Sequence, residues 1–214
     1  MKKFLTAFIF IFWFVSIASA GELITGAFGI KLGEPLDLNL VQGEIVDTFD
    51  DSFGEYLMQH LIHRENFDTL GDSNKFYGSK TAQVRPINPN PLFDSYRVWF
   101  TPTNKIVVGI SGFGKIQSCG SESRGLKGIL DKKYGKSYPD KSDKSDKSGN
   151  YSIWEDSKGR ILKFGCNLHQ EKLSMDAKKY NYLTVLYMGT KKEIDAPLKE
   201  REKLDIESVD PSGL

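Results

Sequence analysis

Six short strand-like segments, arranged in two sets of three, most constrain the fold of this chain. The first set is "KTAQVRPI", "DSYRVWFT" and "KIVVGISGF", and the second is "YSIWED", "RILKFGC" and "YLTVLYM". Tyr96, Val98 and Phe100 alternate with Arg97 and Trp99, which is the two-residue period of a strand. The connections "NPNPLF", "TPTN" and "DSKG" are rich in turn-forming residues. The sequence therefore predicts antiparallel meanders of three strands.

Each set of strands follows a segment with helical periodicity. Ser52 and Glu55 form a capping box, and the apolar spacing behind them predicts an amphipathic helix over 53–64. The segment "SESRGLKGILDKKYG" predicts a second helix that ends at Gly135. Near the beginning, "LITGAFGIKLGEPLDL" fits a short strand and a tight turn. We therefore expect an α+β fold, in which helices pack on one face of an antiparallel sheet.

The first 20 residues have the composition of a signal peptide. Lys2 and Lys3 precede an apolar run over 4–17, and small residues follow up to Ala20. The run is shorter than the roughly 20 residues that cross a bilayer, which disfavours an uncleaved anchor. We predict cleavage between Ala20 and Gly21 and a periplasmic or secreted protein.

Residues 21–190 are predicted to form a single α+β domain, for which two halves, 21–116 and 117–190, are an alternative organisation. Residues 191–214 are a charged C-terminal tail, which we expect to be a short frayed helix or disordered.

Without the first 20 residues the chain carries 27 basic and 28 acidic residues. This near-neutral balance argues against a nucleic-acid partner, and no later segment is apolar enough to span a membrane.

The chain has two cysteines, Cys119 and Cys166. An even number of cysteines in an exported chain predicts a disulfide bond. A redox or nucleophilic cysteine is the alternative, but it lacks a Cys-x-x-Cys pair or a nearby histidine. A bridge of this span would stabilise the fold by about 3–4 kcal/mol.

The segment "GISGFGKI", from Gly109 to Ile116, resembles part of a phosphate-binding loop. Such a loop needs Ser or Thr after the lysine to hold magnesium, and a helix that begins there. Ile116 occupies that position, and "QSCGSES" is a poor helix start. We therefore interpret the segment as a glycine-rich bend or bulge in a strand and expect no nucleotide.

The candidates for a metal or catalytic site are weak. His60 and His63 lie three residues apart on the predicted first helix, and Glu65 or His169 would have to complete a zinc site. No His-Glu-x-x-His or Gly-x-Ser-x-Gly motif is present. We expect no metal, no cofactor and no catalytic residue, with an envelope hydrolase of unrecognised site as the alternative.

Two surface features follow from the strand pattern and from an insert. If the even-numbered side chains of "DSYRVWFT" face the core, Arg97 and Trp99 lie on the outer face. They then form a candidate partner-binding surface, unless the C-terminal tail or a helix covers them.

The repeat "YPDKSDKSDKSGNY" has no net charge, and its aspartates lie three apart rather than at the alternate positions of a calcium loop. We interpret it as a solvated connector.

The segments "LKGILDKKYG", "GRILKFGC" and "YLTVLYM" resemble a pattern in uncharacterised exported bacterial proteins, and "FGIKLGEPL" is similar to the entry of helix–meander modules. Such modules occur in small outer-membrane assembly proteins and beta-lactamase inhibitor proteins. The resemblance covers about 65 residues of the second half, and its motifs are structural. It implies a non-catalytic binding, inhibitor or assembly protein with a protein partner in the cell envelope.

Overall fold

The computed structural model describes residues 21–48, 76–139, 151–170 and 179–208. The predicted signal peptide, the predicted first helix and residues 140–150 of the Asp-Lys-Ser insert lie outside these ranges. A 3₁₀ turn covers Leu38–Leu40. The helices are α1 (Ser121–Tyr134) and α2 (Lys191–Ser208), and the strands are β1 (Gly26–Ala27), β2 (Ile30–Lys31), β3 (Val41–Asp47), β4 (Lys80–Val84), β5 (Ser95–Phe100), β6 (Val107–Ile116), β7 (Tyr138–Pro139), β8 (Ser152–Glu155), β9 (Ile161–Gln170) and β10 (Lys179–Met188).

Eight strands form one antiparallel sheet in the order β3-β4-β5-β6-β10-β9-β8-β7. The predicted meanders β4-β5-β6 and β8-β9-β10 lie side by side, and their last strands pair along eight residues, from Asn181 opposite Ile116 to Met188 opposite Gly109. β1 and β2 form a separate two-stranded ribbon around the predicted tight turn. The α+β class with a large antiparallel sheet is confirmed.

One face of the sheet is covered by the N-terminal ribbon and α1. Leu130 and Tyr134 of α1 belong to the main core cluster, which also contains the even-numbered side chains of β5, and α1 lies against β8 and β9. Gly135, with a φ of 87°, ends the helix in a conformation that favours glycine. The buried Trp154 fixes this end, because its indole Nε1 donates to the Gly135 carbonyl at 2.9 Å and to Asp131 at 3.1 Å.

The opposite face carries a second apolar cluster. Its buried members are Phe76, Trp99, Val108, Tyr151, Leu186 and Met188, and Ile194 of α2 packs against them. The alternation in β10 explains this division. Val185 and Tyr187 belong to the main cluster, and Leu186 and Met188 belong to the second. The two described helices therefore contact opposite faces, where the sequence suggested a single helical layer.

The glycines of "GISGFGKI" are required by close packing within β6. This segment lies in a strand, as expected, and pairs with β5 on one side and β10 on the other. The expected bend or bulge is not within it, because its pairing with β10 is regular and the register shift against β5 falls just before Gly109. A Cβ at Gly109 would lie 2.5 Å from the Phe76 ring, and one at Gly114 would lie 1.8 Å from the Leu92 carbonyl oxygen. Side chains at these positions would displace the segments that cover the strand.

Two elements differ from the sequence expectation. β3 is an edge strand with an irregular register between Gln42 and Val46, and its "VQGEIVD" sequence lacks the alternation that identifies a strand. The tail interpretation as a short frayed helix is wrong, because α2 has 18 residues and is attached to the body of the protein. Glu200 accepts hydrogen bonds from the Thr103 amide and the Asn104 side chain, and Arg201 pairs with Asp47.

Candidate functional site

The predicted disulfide is present and connects the start of α1 to the sheet. Cys119 lies two residues before α1 and Cys166 lies in β9, with their Cα atoms 5.6 Å apart. Both cysteines line a small crevice of about 310 Å³ together with Arg124, Lys127 and Phe164. The bond fixes the half of α1 that carries no fully buried side chain, since the buried residues Leu130 and Tyr134 lie in the other half.

The prediction that Arg97 and Trp99 form an exposed pair is wrong. Both side chains point away from the main core, as their alternation in β5 requires, but only 6% of Arg97 and 4% of Trp99 is exposed. The Phe76 ring stacks on the Trp99 indole with centroids 4.6 Å apart. Because both side chains are buried, this pair does not offer a surface to a partner.

The weak metal candidates lie beyond what the structure describes. His60, His63 and Glu65 fall in the undescribed range 49–75, and His169 is placed in β9 by its backbone alone. Among the described residues, no group of three or more His, Cys, Asp or Glu side chains could hold a metal ion. The expectation of no metal site therefore stays a prediction, and the envelope hydrolase stays its alternative.

A groove beside α2 is the site that the sequence did not indicate. It encloses about 760 Å³ between the start of α2, the β8–β9 turn and the end of β10. This volume lies within the range of about 300–1,000 Å³ that is usual for ligand pockets. We call it the α2 groove, and its apolar wall consists of Tyr77, Ile161, Met188, Ile194 and Leu198. Tyr77 is 50% exposed and Leu198 is 37% exposed, so two large apolar side chains face an open space.

An ion-pair network fixes the walls of the α2 groove. Arg160, at the start of β9, donates from Nη2 to Glu193 Oε1 at 2.6 Å and from Nε to Oε2 at 3.2 Å. The same guanidinium donates to the carbonyls of Ile24 and Leu32 at 3.2 and 3.1 Å. Arg160 thus ties α2 and the β8–β9 hairpin to the N-terminal segment, which makes the groove a preformed feature.

Thr190 and Glu193 form a capping box at the start of α2. The Glu193 amide donates to Thr190 Oγ1 at 3.2 Å, and the Thr190 amide donates to Glu193 Oε2 at 2.6 Å. Burial alone would raise the pKa of Glu193, but the hydrogen bonds from Arg160 and from the Thr190 amide outweigh it and lower the pKa. Glu193 is therefore held as a carboxylate between a cation and a helix start.

The charged residues of the α2 groove are concentrated at one end. Lys158 of the β8–β9 turn and Lys191 and Lys192 of α2 line this end, as do Glu155 and Asp195. Within the described part of the chain, none of the three lysines forms an ion pair, whereas Glu155 accepts a hydrogen bond from the Tyr138 hydroxyl at 3.3 Å. The lining thus combines an apolar wall with a rim of net positive charge.

Comparisons with known proteins do not indicate a relative. No protein-family model matches the chain, and no curated protein and no solved structure is significantly similar to it. The resemblance to exported helix–meander proteins therefore stays an expectation. Across the described ranges, none of the helices has the length and apolar character needed to cross a bilayer.

One sequence signal could have led to the α2 groove. Thr190-Lys191-Lys192-Glu193 matches the capping-box pattern that identified the first predicted helix. The high charge of the tail was the reason to expect a short frayed helix or disorder, and Pro197 lies inside the helix that forms instead. The contact between Arg160 and Glu193 joins residues 33 positions apart, and no local pattern encodes it.

Proposed function

We propose that this chain is an exported binding protein of the bacterial cell envelope, without catalytic machinery of its own, and that the α2 groove is its binding site. The α2 groove is the observation that carries this proposal. Its apolar wall remains partly exposed although α2 packs against the sheet beside it, and contiguous exposed apolar surface in a cavity marks a place for a ligand or partner.

Export is supported by the sequence and by the disulfide. The first 20 residues have the composition of a cleavable signal, and disulfides persist in oxidising compartments such as the periplasm. Gly21, which would follow the cleavage, fits tightly beside the backbone of Tyr134, and the Glu22 amide donates to the Lys133 carbonyl at 2.9 Å. A mature chain that begins at Gly21 would thus begin at a packed position.

A neutral apolar dye tests the proposed site. N-phenylnaphthylamine fluoresces when it enters an apolar cavity, and we expect the mature protein to bind it. Leu198→Asp places a carboxylate in the apolar wall and should weaken dye binding by tenfold or more, because a charge disfavours an apolar ligand. Ile87→Asp is the matched control, since Ile87 is an exposed apolar residue beside the β1–β2 turn and outside the groove.

The outcome separates the groove from general surface hydrophobicity. Loss of dye binding in the Leu198 variant alone supports the α2 groove as a binding site. Equal effects of both variants, or no dye binding by the folded wild-type protein, would contradict the proposal. Circular dichroism of each variant verifies that the fold is retained.

A further inference from the structure

We infer that the α2 groove takes a single-chain amphiphile with an anionic headgroup, such as a long-chain carboxylate; this inference rests on the proposed role of the groove as a binding site. The apolar wall would contact the hydrocarbon chain, and the lysines at one end would face the headgroup.

The polarity of the α2 groove supports this ligand class. Lys191 and Leu198 are seven residues apart on α2, which corresponds to about 10 Å along the helix axis. Lys191 and Lys192 begin α2, and Lys158 lies two residues from Arg160, which contacts Glu193. Tyr77 belongs to the other end, because a Cβ on its neighbour Gly78 would lie 3.0 Å from the Leu198 backbone. Tyr77 and Leu198 are both exposed. A ligand with a charged end and an apolar end matches this gradient, whereas a uniformly apolar or uniformly charged ligand does not.

The charge at the rim favours an anion. Three lysines and two carboxylates line the groove, and the lysines lack ion-pair partners among the described residues. Glu155 accepts a hydrogen bond from the Tyr138 hydroxyl and keeps its negative charge, so three cations stand against two carboxylates at the rim. The rim therefore attracts an anionic headgroup more than a cationic one.

The backbone of the walls favours a hydrocarbon chain over an extended peptide. Ile161 and Met188 lie in strands that are paired with each other, and Ile194 and Leu198 lie inside a helix. The amide of Gly189, at the end of β10, donates to the Val108 carbonyl. A peptide that binds by adding a strand needs the free backbone groups of a strand edge, and the strands that carry Ile161 and Met188 are already paired on both sides. A hydrocarbon chain has no such requirement.

Displacement of N-phenylnaphthylamine by defined amphiphiles tests the inference. We expect dodecanoate, kept below its micellar concentration, to displace the dye, and we expect octanoate and decanoate to bind more weakly. Each added methylene should strengthen binding by about two- to fourfold until the chain outgrows the groove. Dodecanol and dodecyltrimethylammonium have the same chain with a neutral and a cationic head, and both should bind at least about tenfold more weakly.

Charge-reversal variants test the headgroup contact. Lys191→Glu combined with Lys192→Glu should weaken dodecanoate about tenfold relative to dodecanol in the same variant, and the difference should shrink in high salt. Lys132→Glu, on the exposed face of α1, is the matched control and should have no effect. The dye readout shows that the variant groove is intact, so an unfolded variant cannot imitate the expected result.

Each outcome bears on one proposal. In one contrary result, the dye binds in the α2 groove while the three headgroups bind with equal affinity. In another, dodecanoate binding does not depend on Lys191 and Lys192. Either result would overturn the anionic-amphiphile inference and leave the binding role standing. Displacement by an acidic apolar peptide but not by dodecanoate would do the same. If neither dye nor amphiphile binds the folded protein, the proposed function fails as well.

Discussion

Removal of the charge on Glu193 should destabilise the protein measurably. Glu193→Gln keeps the shape of the side chain and an oxygen that can accept from the Thr190 amide, but it leaves the Arg160 guanidinium without a counter-charge. Hydrogen bonds to charged groups contribute about 1.5–3 kcal/mol, and breaking a fully buried pair costs about 3–5 kcal/mol. Because the side chains are 14% and 23% exposed, we expect a loss of about 2 kcal/mol.

Chemical denaturation at several pH values measures both the loss and its cause. The lowered pKa of folded Glu193 means that the ion pair stabilises the fold above the pKa of an unfolded glutamate, about 4.3. The stabilisation is lost as the pH falls through the lower pKa of the folded state. The difference between wild type and Glu193→Gln should thus stay constant from about pH 7 to pH 5 and shrink below about pH 4.

Asp195→Asn, one turn from the capping box, is the control on the same helix. Asp195 is exposed, and the hydrogen bonds that join Arg160, Thr190 and Glu193 do not include it. Its substitution should therefore change the free energy of unfolding by less than about 0.5 kcal/mol. The reasoning about Arg160 would be refuted if Glu193→Gln cost no more than Asp195→Asn. A difference from wild type that persisted unchanged at pH 3 would refute the charge-based explanation.

Two further predictions concern the disulfide and the glycines. Reduction of the bond, or Cys119→Ser with Cys166→Ser, should lower the free energy of unfolding by about 3–4 kcal/mol. Amide hydrogen exchange should then increase most in the first half of α1. A uniform increase along α1 would contradict the idea that the disulfide holds its first half. Gly114→Ala should cost about 2–3 kcal/mol because its Cβ would lie 1.8 Å from a carbonyl oxygen. Gly125→Ala, in an open position of α1, should instead stabilise the protein by about 0.5–1 kcal/mol. Thermal unfolding of both variants distinguishes the effect of close packing from a general effect of glycine replacement.

The strands of this fold were predictable because their signals are local. Alternation and turn residues located all six strands of the two meanders. The spacing of Leu126, Ile129, Leu130 and Tyr134 with Gly135 located α1, although Ile129 is exposed rather than part of the buried stripe. The disulfide followed from the even cysteine count. β3 was missed because Gly43 and Glu44 interrupt its alternation in an irregular edge strand.

The candidate site was less predictable because its contacts connect distant segments. Trp99 lies on the outer side of β5 as its alternation requires, but its burial depends on Phe76, which stands 23 positions earlier in the chain and outside any recognisable element. The α2 groove likewise needs the β8–β9 turn, the end of β10 and α2 together. Local patterns specify which face a side chain takes, but they do not specify what covers that face.

The central position of β10 has a consequence for when this protein can fold. β10 is the last strand in the chain, yet it lies between β6 and β9 and joins the two meanders into one sheet. Until residues 179–188 are present, β6 lacks one neighbour and the two halves have no shared hydrogen bonds in the sheet. Such non-local pairing slows folding. If the chain is exported as proposed, it would therefore complete its sheet only near the end of translocation.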